Sequence, residues 1–115
     1  MTQHLVTSHG ADFFGQDTHQ LKAVRDLADY ARGVLSYDAR KPLAPLIQHL
    51  ETAGTEGELT IPADQAAPFS ELLSTVAGHR HTKPKPAKVA RLLGDAAARA
   101  AAEGEPWTWT TTTAE

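Results

Sequence analysis

Ile61 to Gly104 constrains this chain more than any other stretch. It holds two apolar-faced helical segments joined by a basic connector, His79-Arg80-His81-Thr82-Lys83-Pro84-Lys85-Pro86. The first segment opens at Pro62 and carries Asp64 in its first turn, where a carboxylate favours the positive end of the helix dipole. Ala66, Phe69, Leu72, Leu73, Val76 and Ala77 give it one apolar face. Pro68, about one turn in, predicts a late start or a kink, and Gly78 ends the segment. Each connector proline fixes its own φ and biases the residue before it, so Lys83 to Pro86 is expected to run extended. Pro86 then opens a second helix, with Val89, Leu92, Leu93, Ala96, Ala97 and Ala100 on one face and Gly104 at its end.

Around this stretch the pattern is shorter and mixed. His4-Leu5-Val6-Thr7-Ser8 reads as a strand. His9 to Gln16 reads as a loop with a glycine near each end and Phe13 and Phe14 anchoring its middle, and Asp17 or Thr18 as an N-cap. Leu21, Val24, Leu27, Ala28, Ala31, Val34 and Leu35 mark a helix with one buried stripe. Lys22–Asp26 and Arg25–Asp29 lie at i, i+4 on its opposite face. Ser36 to Lys41 breaks the pattern. Pro42 and Pro45 belong in the first turn of a short helix through Leu43, Leu46, Ile47 and Leu50, capped near Gly54. Glu58-Leu59-Thr60-Ile61 alternates as a strand, and Pro106 to Thr112 is a last strand with Trp107 and Trp109 on one side and threonines on the other.

The expected fold is therefore α+β. Four helices pack on a small two- to three-stranded sheet in the order βααβααβ, because three short strands need helices on one face. Residues 1–110 form a single compact domain and 111–115 a frayed tail. At 115 residues such a chain buries enough surface to fold without a metal or disulfide staple. Cysteine is absent, which excludes disulfides, thiol nucleophiles and Cys-ligated metal. With no cationic–apolar leader and no long apolar run, a cytoplasmic protein away from membranes is expected. Twenty alanines point to a GC-rich genome.

The net charge of −3 averages over an asymmetry: residues 1–78 carry a net −5 and residues 79–99 a net +5. Arg80, Lys83, Lys85, Lys88 and Arg91 form a candidate surface for nucleic acid or an acidic protein partner. No aromatic residue is interleaved there to stack on bases, and the whole chain is acidic, unlike typical nucleic-acid binders. A solvated connector, with Arg91, Asp95 and Arg99 pairing along the helix, is the plainer account. In the first loop His9, Gly10 and Asp12 are a candidate ligand site. Ser8, His9 and Asp12 do not make a hydrolytic triad, since neighbours on a strand point to opposite faces and no G-x-S-x-G elbow occurs. Six histidines include His79-x-His81 but no pair at helical ligand spacing, so no metal or cofactor is expected. Trp107 and Trp109 read first as a core plug and otherwise as an interface on an edge strand.

The opening Ser8-His9-Gly10-Ala11-Asp12-Phe13-Phe14-Gly15 and the ending Asp95-Ala-Ala-Ala-Arg99-Ala-Ala-Ala-Glu103-Gly104-Glu105-Pro106-Trp107 together resemble small uncharacterised streptomycete (actinobacterial) proteins of unknown function. That resemblance implies a self-contained domain in an actinomycete cytoplasm and assigns no activity. The expected function is a non-enzymatic binding or regulatory module acting through protein–protein contacts, as a homo-oligomer. Nucleic-acid binding through residues 79–91 is the first alternative, and a ligand binder or small enzyme using the 8–17 loop the second.

Overall fold

The structure is a computed structural model describing residues 2–10, 15–55 and 57–114. Its elements run β1 (Thr2–Ser8), β2 (Gln16–Gln20), α1 (Leu21–Val34), α2 (Tyr37–Glu51), β3 (Glu58–Ile61), α3 (Ala63–Gly78), α4 (Pro84–Glu103) and β4 (Trp107–Ala114). The class is α+β with four helices, as expected. The sheet, however, has four strands, all antiparallel, in the order β2-β1-β4-β3.

β2 corrects the reading of residues 16–20 as loop and cap. Gln16-Asp17-Thr18-His19-Gln20 has no apolar residue, and its one buried side chain is His19. It is a polar edge strand, whose alternation hydrophobicity alone cannot register. Gln20, with no side-chain hydrogen bond, caps α1 instead of Asp17 or Thr18. Residues 111–114, expected to fray, pair with β1 as far as Thr2↔Ala114.

The prolines also sit deeper than expected. Ser36 caps α2, its hydroxyl accepting from the Ala39 N–H at 3.2 Å, so Pro42 and Pro45 lie inside the helix. Both are exposed, and the buried stripe Leu46, Ile47 and Leu50 follows them. α3 starts at Ala63 without delay and contains Pro68. α4 starts at Pro84 rather than Pro86, so the connector is only His79 to Lys83, and Lys83 to Pro86 is the first helical turn instead of an extended segment. Pro84 and Pro86 fall where backbone donors have no intrahelical partner, so the turn costs them no bond.

The inner sheet face carries Leu5, Ile61, Trp107 and Trp109, all buried, against Phe69, Leu73, Leu27 and Leu50 from the helices. Phe69 makes an edge contact with Trp107 (5.5 Å between centroids) and a tilted one with Trp109 (5.7 Å). α3 and α4 fold back on each other through small residues. A Cβ on Gly94 would stand 3.3 Å from Leu73 Cβ, and the Ser70 hydroxyl donates to the Gly94 carbonyl at 2.8 Å. Ala87, Ala90, Ala96, Ala97 and Ala100 are buried on α4, so part of the alanine excess is a packing requirement. The outer sheet face is polar and uncovered, with Val6 among His4, Thr18, Thr60, Thr108, Thr110 and Thr112. Among the described residues no helix is long and apolar enough to cross a membrane.

Candidate functional site

β1 ends at Ser8, and His9 leaves the strand with φ 60°, a left-handed conformation uncommon for a residue with a side chain. That turn brings together what the strand geometry was expected to separate: Ser8 Oγ and His9 Nδ1 lie 2.9 Å apart. His9 Nε2 faces Glu103 at 3.2 Å and Glu105 at 3.6 Å. The Thr108 N–H donates to Ser8 Oγ (2.9 Å), Trp107 Nε1–H to the Ser8 carbonyl (3.0 Å) and Arg99 to the His9 carbonyl (2.9 Å). The corner therefore staples the start of the chain to the end of α4 and to β4. His9, Glu103 and Glu105 are the one group of potential metal-ligand atoms converging within 4.8 Å among the described residues. Both carboxylates are more than half exposed, and their contacts with the His9 imidazole account for the arrangement.

Gly10 belongs to the same corner for a steric reason. A Cβ there would meet the Gln16 carbonyl carbon at 2.2 Å and the Asp17 nitrogen at 2.3 Å, while its N–H donates to the Gly15 carbonyl at 2.9 Å. Only glycine lets the two backbones approach this closely. Asp12, the third member of the proposed ligand set, lies outside the described residues. Among the described residues His79 and His81 form no chelate with a third group. Their rings are 5.3 Å apart, and His79 Nδ1 accepts the His81 backbone N–H at 3.2 Å.

The basic residues do come together. Arg80 lies in the connector, Lys83 is the N-cap of α4, and Lys85, Lys88 and Arg91 follow at three-residue steps along one helix face. All five are exposed. Among the described residues none of them makes an ion pair, and the expected pairing of Asp95 with Arg91 and Arg99 is absent within 4.0 Å. Arg99 is turned toward His9 instead. The first turn of α4 holds no acidic residue. Lysines therefore crowd the positive end of a 20-residue helix, where cations are disfavoured by about 0.3–1 kcal/mol each.

Trp107 and Trp109 are not an exposed interface. They are 0% and 1% exposed, and β4 is a central strand flanked by β1 and β3, so neither residue nor strand edge is open to a second chain. The plug reading describes them. What sequence reasoning missed is His19, a buried imidazole on β2 whose pKa is lowered by burial, with the Asp17 carboxylate opposing that shift. No hydrophobic alternation announces it, because the strand that holds it has no apolar residue.

No curated protein and no solved structure matches the chain. A family model described as a domain of unknown function (DUF7739) matches residues 10–110, and the chain, whose corner, basic helix end and tryptophan plug all fall largely within that span, belongs to this family.

Proposed function

We propose that this chain is a non-enzymatic binding module that works through protein–protein contacts, with Arg80, Lys83, Lys85, Lys88 and Arg91 as its contact surface and the acidic surface of a second copy as what that surface meets. The observation that carries this reading is the uncompensated charge at the start of α4: Lys83 and Lys85 at the wrong end of the helix dipole and Lys88 one turn on, with no acid in the first turn and, among the described residues, no ion pair. Such an arrangement weakens the folded monomer and gains from an anionic partner. The net −5 of residues 1–78 supplies one on every other copy. Nucleic acid fits less well. α3 and α4 fold back as a hairpin instead of crossing as a helix-turn-helix, and among the described residues the uncovered sheet face offers no Phe, Tyr or Trp for stacking. The lack of cysteine suits a reducing cytoplasm, and the resemblance noted above suits an actinomycete.

Zero-length carbodiimide cross-linking at low ionic strength tests this reading. Lys83, Lys85 or Lys88 is expected in peptides joined to an Asp or Glu of a second copy. Intermolecular links that all avoid these lysines, or no link at all, would refute it.

A further inference from the structure

α3 and α4 turn one flank into the core and leave the other uncovered. On α3, Asp64, Ala67 and Glu71 stand at i, i+3 and i+7, and all are exposed. On α4, Lys88, Arg91, Asp95 and Ala98 continue the same spacing and the same exposure. Phe69 and Leu73 on α3, and Ala90, Leu93 and Ala97 on α4, are buried on the opposite flank. The two exposed rows therefore make one outward face of the hairpin.

Charge on this face is sorted by position. The bond from the Ser70 hydroxyl to the Gly94 carbonyl sets the antiparallel register of the two helices. Asp64 and Glu71 thus lie beside the second half of α4, where Asp95 joins them. Lys85, Lys88 and Arg91 occupy the other end. Among the described residues none of these six makes an ion pair. The acids of α1 and α2 differ, since Asp26 holds Lys22, and Asp29 and Glu51 hold Arg32. Ala67 and Ala98 sit among the hairpin acids, and side chains this small leave room for the aliphatic stems of lysine and arginine.

A face with acid at one end and base at the other complements itself when turned end for end. A two-fold axis does this, so that each copy's base meets its partner's acid and both contacts form at once. Helices of 16 and 20 residues are about 24 and 30 Å long and about 10 Å wide. The pair would bury about 1,000 Å² in all, where specific but weak interfaces begin.

We propose that a second copy docks on this hairpin face, two-fold related and antiparallel, with Lys88 and Arg91 of each copy against Glu71 and Asp95 of the other. Such a dimer presupposes the basic-surface reading above and adds to it the acidic counterpart and a closed stoichiometry of two. Light scattering at low ionic strength tests it with two charge-reversed chains, Lys88→Glu/Arg91→Glu and Glu71→Lys/Asp95→Lys. Each alone is expected at the chain mass, because its face then carries one sign, and an equimolar mixture at twice that mass. Asp26→Lys/Glu58→Lys, the same change of charge placed off the hairpin, keeps the wild-type doubling. Should Glu71→Lys/Asp95→Lys not fold, Glu71→Gln/Asp95→Asn replaces it and raises the concentration needed for doubling by about tenfold. If Glu71→Lys/Asp95→Lys still doubles while Lys88→Glu/Arg91→Glu does not, the proposal is overturned and the basic-surface reading stands. A mixture that stays at the chain mass overturns it as well. A monomeric wild-type chain, or doubling indifferent to Lys88→Glu/Arg91→Glu, removes both.

Discussion

His19 is the one buried histidine among the described residues, and burial lowers its pKa from 6.5 against the opposing pull of Asp17. The unfolded chain therefore binds a proton in a range where the folded chain does not, and folding stability falls as pH drops below about 6.5. Above that value both states are neutral and the residue adds no pH dependence. Urea titrations across this range should show the fall, and His19→Gln should flatten that part of the curve. A variant keeping the full slope would assign it elsewhere. The neighbouring corner has a different logic. Ser8 and His9 meet only because His9 adopts a positive φ, so the rule that adjacent strand residues diverge misplaced them. Gly10 was legible as a turn residue but not as a contact point, because the backbone it touches belongs to a strand no apolar pattern announces. Gly10→Ala is expected to destabilise the fold by at least 1–3 kcal/mol through overpacking, measurable by thermal unfolding.

α4 shows most plainly what an element's sequence reveals and hides. Its apolar face and its Gly104 end, a left-handed C-cap at φ 67°, followed from spacing alone. Its start did not, because two prolines two residues apart favour extended backbone locally and equally suit a first helical turn, and tertiary packing on α3 decided between them. The same holds for Pro42, Pro45 and Pro68, which stay inside helices at the cost of their missing donors. Ser36→Ala should cost α2 about 1 kcal/mol, visible as a lowered denaturation midpoint. Close packing at Gly94 makes a sharper claim: Gly94→Leu should push the α3–α4 hairpin apart and cost roughly 1–3 kcal/mol. A neutral outcome would mean that the hairpin is looser than 3.3 Å implies. Lys85→Glu should act in the other direction, raising stability by about 0.3–1 kcal/mol as a carboxylate replaces a cation at the positive end of the helix. Scanning calorimetry at protein concentrations low enough to keep both chains monomeric reads that change.

At the scale of the whole molecule, charge and architecture separate. The helices cover one face of a four-stranded sheet, and the basic surface gathers at the start of α4 in a chain of net charge −3. Class, helix count and charge asymmetry were readable from the residues. Strand order was not, since pairing of β1 with β4 joins the two ends of the chain and leaves no local trace. The central claim is that this basic surface meets an acidic second copy. Solution mass by light scattering, at low and high salt, with and without mixed-sequence duplex DNA, tests it most directly. The account predicts twice the chain mass at low salt, reduced toward the monomer as salt screens the contact. DNA should leave it unchanged, and Lys83→Glu/Lys85→Glu/Lys88→Glu should leave only monomer. A monomer at low salt that gains mass on adding DNA would contradict the account and assign the same lysines to phosphate.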